Sequence, residues 1–117
     1  MTEELKERIE EIANDNDWSC NMYVDTNGTE YIEFETHTPA GQDLIVTIDV
    51  VDDVDMLGVS AKICEYAKNF DECEEAYLWL DDTGHGKNGA PYHMGDVLED
   101  MVNAKHMIYD LSDAMMD

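Results

Sequence analysis

Basic residues are scarce in this chain, and their scarcity excludes several classes of partner. Six Lys and Arg stand against 29 Asp and Glu among 117 residues. The formal net charge is −23, whereas small domains usually carry a net charge of about 2–8 in magnitude. No Lys or Arg occurs from Ile9 to Ala61. We therefore expect no direct binding to nucleic acid or to an anionic membrane, and we expect attraction to a basic partner.

Long apolar runs, cysteine frameworks and leader sequences are also missing. No apolar run approaches the roughly 18 residues of a membrane span, and the acidic N-terminus has neither signal-peptide nor transit-peptide composition. The three cysteines, Cys20, Cys64 and Cys73, show no framework spacing. They predict reduced, largely buried thiols in a cytoplasmic protein. With 44% hydrophobic residues, the chain is expected to fold as a single acidic domain over residues 1–117.

The stretch Trp18–Val51 predicts a three-stranded antiparallel meander. Apolar and polar residues alternate over about 18–25, 29–38 and 43–51, as they do in strands with one buried face. Short segments containing glycine separate the three runs and predict tight turns.

The apolar pattern also selects the register of this meander. A three-residue loop at 26–28 pairs Met22 with Ile32. A two-residue Asn-Gly loop would instead pair Met22 with Glu33 and place a carboxylate on the core face. The same comparison favours a three-residue loop at 39–41. Both turns are therefore predicted to be bulged, with glycine in the left-handed position.

The rest of the chain predicts helices that flank the sheet. A long C-terminal helix carries an apolar stripe that includes Leu98 and is long enough to cross the sheet. The fold class is therefore α+β, with the meander packed against this helix and shorter helices beside it. Helices are predicted at about 2–14, 56–70, 72–81 (with a strand at 77–80 as the alternative) and 93–115, with a glycine-rich loop at 82–91.

No catalytic or ligand-binding motif is found. Asp49, Asp52, Asp53 and Asp55 are clustered, but an EF-hand would need glycine where Val54 stands. We interpret these residues as acids that favour a helix N-terminus. The glycine-rich loop lacks the pattern of a phosphate-binding loop, and no serine or cysteine lies in a nucleophile motif. We predict a protein that is not an enzyme and that has no metal and no cofactor.

The outer face of the predicted sheet is the candidate binding surface. It carries several carboxylates and no cation, and carboxylates on alternate residues of a strand lie about 6.5–7 Å apart. That spacing is of the same order as the spacing of phosphates along a DNA strand. A protein with this face is predicted to occupy the channel of a basic nucleic-acid-binding protein. The predicted contact residues are Glu33, Glu35, Asp49 and Asp25, the aromatic anchors Tyr23 and Tyr31, and Glu7 and Glu11 of the first helix.

Two other interpretations of the acidity stay open. In the first, the carboxylates serve only solubility and discourage edge-to-edge pairing of the sheet. In the second, the protein is a small structural or regulatory adaptor that binds a protein partner through the 82–91 loop and the neighbouring Trp79. The sequence does not predict an oligomeric state.

Residues 70–117 resemble a known group of proteins. The segments are Phe70-Asp71, Glu74-Glu75-Ala76, Leu78-Trp79-Leu80 and Gly86-Lys87-Asn88-Gly89-Ala90-Pro91, followed by an acidic amphipathic helix. This pattern is similar to small acidic proteins of phages and conjugative elements of gut bacteria, although Tyr92 stands where the pattern has a helix-capping serine. As a class, such proteins resemble antirestriction and anti-CRISPR DNA mimics. The resemblance implies an inhibitor of a CRISPR or restriction effector.

Overall fold

The computed structural model describes residues 1–117 and has the predicted α+β architecture. The elements in chain order are α1 Glu3–Asp15, β1 Ser19–Val24, β2 Glu30–His37, β3 Asp43–Val50, α2 Met56–Asn69, α3 Glu72–Tyr77 and α4 Met94–Met116. The three strands form one antiparallel sheet in the order β1-β2-β3. Helices lie on one face of this sheet, and the buried apolar side chains form a single cluster between the two layers.

α1 begins and ends at residues that suit helix termini. Thr2 Oγ1 accepts a hydrogen bond from the Leu5 N–H at 3.1 Å and caps the helix. Ile9 and Ala13 lie on one stripe and are fully buried. The chain leaves the helix at Asp17, whose positive φ of 66° redirects the backbone into β1.

The predicted register of the sheet is confirmed. Ile32 in the central strand lies opposite Met22 of β1 and Ile48 of β3. Phe34, two residues further along the same face, is fully buried. The apolar residues therefore share the covered face, and the polar residues alternating with them share the other face.

Three turns of the chain have one geometry. In each turn the N–H of the first residue donates a hydrogen bond to the carbonyl of the fifth; the turns are residues 25–29, 38–42 and 81–85. The fourth residue is glycine with a φ of 83°, 91° or 82° respectively, a conformation that glycine adopts without steric cost. In each turn the side-chain oxygen of the first residue accepts from the N–H of the fifth at 3.0 Å. The first two are the predicted three-residue bulged loops, and the third was not predicted.

α3 is shorter than predicted. It ends at Tyr77 rather than near Asp81, and Asp71 caps its N-terminus by accepting hydrogen bonds from the N–H groups of Cys73 and Glu74. Beyond the helix, the Leu80 N–H donates to the Tyr77 carbonyl in a tighter turn. Leu80 then forms an antiparallel bridge with Gly86. The segment therefore combines a short helix with one isolated bridge, and neither predicted alternative describes all of it.

α2 and α4 pack closely and are joined by polar contacts. Ser60 Oγ donates to the Ser112 carbonyl, and Ser112 Oγ donates to the Ser60 carbonyl, both at 2.8 Å. Both serines are buried. At the end of α2, Lys105 Nζ donates to the Phe70 carbonyl at 2.9 Å and lies 3.3 Å from a Glu72 carboxylate oxygen. These contacts fix α4 against the two helices that precede it.

The buried face of α4 differs from the predicted stripe at one apolar and one acidic position. Leu98, predicted to be part of the stripe, is 36% exposed, whereas Asp100 is only 3% exposed. The Asp100 carboxylate accepts from the Thr38 hydroxyl at 2.5 Å and from the Ala40 N–H at 3.0 Å. These bonds tie the turn between β2 and β3 to α4 and satisfy a charge that would otherwise be costly to bury.

Candidate functional site

The outer face of the sheet is exposed along all three strands. Its side chains alternate with those of the covered face, and none of them is buried. The face therefore presents a flat, mostly polar surface, as predicted. Its residues are Ser19, Asn21 and Tyr23 of β1, Tyr31, Glu33, Glu35 and His37 of β2, and Asp43, Ile45, Thr47 and Asp49 of β3.

Glu33 and Glu35 lie at the centre of this face. They occupy the middle strand, where their cross-strand neighbours are uncharged. No ion pair of the protein includes either carboxylate. Because they are alternate residues of one strand, they lie about 6.5–7 Å apart. The two charges are free to bind a cationic side chain of a partner.

Asp49 is at the edge of the face and is not free of cations. Lys62 Nζ, which extends from α2, lies 3.5 Å from Asp49 Oδ1. The prediction of a face without any cation is therefore wrong at this position. The two residues are far apart in sequence, and only the packing of α2 beside β3 brings them together. At the far end of the face, His37 Nε2 lies 3.2 Å from Asp43 Oδ1.

Asp25, Tyr23 and Tyr31 form a preorganised corner at the other end of the face. Asp25 Oδ1 accepts from the N–H groups of Asn27 and Thr29, and Oδ2 accepts from the Tyr31 hydroxyl at 3.1 Å. These bonds, led by the one from Thr29, lower the pKa of Asp25, and the bond to Asp25 raises the pKa of Tyr31. The Tyr23 and Tyr31 rings stack with centroids 5.2 Å apart. Asp25 therefore holds the turn and one tyrosine in place, and Tyr23 of the stacked pair is exposed.

Glu7 and Glu11 are not brought together with the carboxylates of the sheet. On a helix with 3.6 residues per turn they lie nearly opposite Ile9, whose side chain is fully buried. They therefore point away from the protein body. Two other charged residues of α1 act on β1: Lys6 lines a groove with Met22 and Val24 of that strand, and the charge of Glu10 contributes to the raised pKa of Cys20. Helical periodicity predicts that Lys6 and Glu10 border the apolar stripe of α1. It does not predict that β1 is the strand next to them.

The acidic cluster before α2 acts as a helix terminus. Asp55 Oδ1 accepts from the Gly58 N–H at 2.8 Å and caps the helix, which agrees with its interpretation as an N-terminal acid. No group of three His, Cys, Asp or Glu side chains is arranged to hold a metal ion. All three cysteines are free, but Cys73 is exposed rather than buried as predicted. Burial, with a smaller effect of Glu10, raises the pKa of Cys20 to about 12, so this thiol is a poor nucleophile.

The 82–91 loop is held in place by several hydrogen bonds. Asp81 Oδ1 accepts from the Thr83 hydroxyl at 2.7 Å, and this bond leads the lowering of the pKa of Asp81. The His85 and Tyr92 rings stack with centroids 4.2 Å apart. Gln42 Nε2 donates to the Gly89 carbonyl at 2.9 Å and joins the loop to the sheet.

An apolar patch, which the sequence did not predict, lies beside this loop. Tyr77 is 70% exposed and Leu78 is 65% exposed at the end of α3, and Tyr92 and Met94 are similarly exposed at the start of α4. Tyr77 and Met94 line a shallow groove between the two helices that is formed only by hydrophobic residues. Leu78 lines a separate groove, together with Ile45 of β3. Tyr77 and Leu78 are exposed where α3 ends. The predicted helix, which continued to Asp81, gave no indication of this exposure.

The helices of this protein are too short or too polar to cross a lipid bilayer. The resemblance of residues 70–117 to proteins of phages and conjugative elements stays a prediction. Comparison of the chain with protein families, with curated proteins and with solved structures found no match.

Proposed function

We propose that this protein is a non-catalytic inhibitor that binds a basic nucleic-acid-binding protein, such as a CRISPR or restriction effector, in place of DNA. The observation that carries the proposal is the open sheet face with Glu33 and Glu35 at its centre, both free of ion pairs. The stacked Tyr23 and Tyr31 beside them supply aromatic contact area of the kind found at binding hot spots.

The charge of the whole chain supports the same function. A net charge of −23 attracts a basic channel over long range and raises the rate of encounter. Ordered carboxylates can then replace the counterions of that channel, as DNA phosphates do. The pairing of Asp49 with Lys62 reduces the free charge at the β3 edge, so the contact is centred on β2 rather than on the whole face.

Charge-reversal variants test the contact surface. The target is first isolated by pull-down from host lysate with and without competing DNA, which should displace it. Glu33→Lys/Glu35→Lys should then weaken binding by at least about tenfold at low salt, because two attractive contacts become repulsive. Asp110→Lys/Asp113→Lys is the matched control, since it changes the net charge equally at exposed positions of α4.

The first helix is tested in the same series. Glu7→Lys/Glu11→Lys has the same change of net charge but lies away from the sheet face, so it should behave like the α4 control. Equal losses in all three variants would show that only net charge matters. Full binding by the sheet-face variant at about 50 mM salt would rule out the proposed surface.

A second candidate function is an adaptor that binds through the apolar patch at Tyr77 and Leu78. The exposure of these two side chains beside an ordered loop favours it. Binding of this kind should change little with salt and should be lost in Tyr77→Ser/Leu78→Ser. Steep loss of binding with salt, together with sensitivity to Glu33→Lys/Glu35→Lys, would exclude the adaptor.

A further inference from the structure

The two edges of the sheet are protected differently. At the β3 edge, the Tyr66 hydroxyl donates to the Ile45 carbonyl at 3.2 Å, and the pair of Lys62 with Asp49 adds charge beside it. An occupied backbone carbonyl and charged side chains at a sheet edge discourage pairing with another strand. At the β1 edge, no residue from Trp18 to Val24 is charged, in a chain of which 30% is charged. This edge also contains no proline.

The backbone of β1 has free hydrogen-bonding groups along this edge. The Asp25 N–H donates to the Thr29 carbonyl, and this bond fixes which residues of β1 point toward β2. Because every second residue of an antiparallel strand bonds to the same neighbour, the backbone N–H and carbonyl groups of Tyr23, Asn21 and Ser19 bond to β2. The outward groups are therefore the N–H and carbonyl groups of Cys20, Met22 and Val24, and no loop or side-chain hydrogen bond reaches them.

We infer that this edge pairs with the β1 edge of a second copy of the chain, antiparallel about a two-fold axis at Met22. In that register Met22 lies opposite its own copy, and Cys20 lies opposite Val24 of the second copy. All three are outward-pointing residues, so their N–H and carbonyl groups complement one another. The pairing covers Val24, which is 60% exposed, and joins the two sheets into one of six strands.

Charge complementarity identifies a second copy, rather than an unrelated strand, as the occupant. Lys6 and Glu10 are one helical turn apart on α1 and lie along β1. Lys6 lines a groove with Met22 and Val24 and also lies 3.4 Å from Glu3 Oε1 of its own helix, and the charge of Glu10 acts on the Cys20 thiol. Antiparallel pairing brings the Cys20 end of one strand to the Val24 end of the other. Glu10 of each copy then meets Lys6 of the other, and two ion pairs form across the axis.

The pairing is independent of the proposed function and has the opposite dependence on salt. Two chains of −23 repel each other over long range, and the screening of this repulsion by salt outweighs the weakening of the two ion pairs, so added salt strengthens the dimer. Binding to a basic target is weakened by the same salt. A loss of dimerisation can therefore be distinguished from a loss of target binding by its dependence on salt.

Measurement of mass in solution tests the inference. Sedimentation over a concentration series at about 0.5 M salt should show mass rising from 13.3 kDa toward twice that value. Met22→Pro should abolish the rise, because it removes an outward N–H while leaving the bonds to β2 in place. Thr47→Pro removes an outward N–H at the β3 edge and should leave the dimer intact. A mass that stays at 13.3 kDa at millimolar concentration would overturn the inference.

A charge swap tests the register without proline. Lys6→Glu and Glu10→Lys should each weaken the dimer several-fold, since each sets like charges across the axis. The double variant Lys6→Glu/Glu10→Lys keeps the wild-type net charge and should restore the dimer. Dimerisation by the single variants as strong as that of the wild type, or a double variant weaker than either single one, would overturn the proposed register.

Discussion

Asp100 offers the sharpest test of how α4 holds the sheet. Its buried carboxylate accepts from the Thr38 hydroxyl and the Ala40 N–H, which belong to the turn between β2 and β3. Thr38 Oγ1 in turn accepts from the Gln42 N–H at 3.0 Å. One side chain of α4 therefore supports a turn that is about 60 residues away in sequence and that leads out of the strand carrying Glu33.

Asp100→Ala should destabilise the protein by about 3–5 kcal/mol. The variant removes two hydrogen bonds to a charged group, each contributing about 1.5–3 kcal/mol, and leaves the buried Thr38 hydroxyl without this acceptor. Asp100→Asn keeps the shape and one acceptor oxygen, so we expect a loss of about 1–2 kcal/mol. Since small domains have total stabilities of about 5–15 kcal/mol, the alanine variant should be close to unfolding on warming.

Urea unfolding followed by circular dichroism measures both losses. The midpoint should fall with little change in the slope of free energy against urea. Asp110→Ala, at an exposed position of the same helix, is the control for the removal of one negative charge and should change stability by less than about 0.5 kcal/mol. If Asp100→Ala also stayed within that range, the carboxylate would not be a structural anchor. A double-mutant cycle with Thr38→Val should return a coupling energy above about 1 kcal/mol.

Three further predictions concern glycine, ionisation and salt. Gly95→Ala should raise the melting temperature, since nothing lies near its added methyl group in α4, whereas Gly28→Ala, at a φ of 83°, should lower it by the equivalent of about 1 kcal/mol. Burial, and to a lesser extent the charges of Glu74 and Asp71, raises the pKa of Glu75. The ionised carboxylate is therefore disfavoured in the folded protein. The contribution of Glu75 to folding stability is complete below its ordinary pKa of 4.5 and is lost as the pH rises through the folded pKa. Glu75→Gln should therefore stabilise at pH 7 by less than about 1 kcal/mol, and unfolding curves at acidic pH should show no gain. Added sodium chloride should raise the melting temperature of the wild type by screening its −23 charge, and a lower value at about 1 M salt would refute that account.

The sheet could be predicted because the information that determines it is local. Each turn lies within five residues, and a register shift by one residue would bury a carboxylate such as Glu33. The third turn, at 81–85, shows how far this reasoning extends. It has aspartate first and glycine fourth, as the turn at 25–29 does, so the same pattern would have predicted it within the glycine-rich loop.

Two of the errors concern contacts between distant parts of the chain. Helical periodicity places Leu98 and Asp100 near the edges of the same stripe, and only the position of Thr38 decides that the carboxylate is the buried one. The pairing of Lys62 with Asp49 likewise depends on α2 lying beside β3. The sequence therefore predicted which carboxylates share the outer face, but not which of them lies beside a cation.

The sequence separations of these contacts also bear on how the protein folds. The strand pairs join neighbouring segments, whereas the serine pair between α2 and α4 joins residues 52 positions apart. Local pairings form sooner on average, so the meander is expected to assemble before α4 docks. During that interval the apolar face that includes Phe34 is bare, and a nascent chain would be prone to aggregation. The carboxylates on the opposite face, which are already displayed, would then keep such intermediates apart by mutual repulsion until the helix closes over the core.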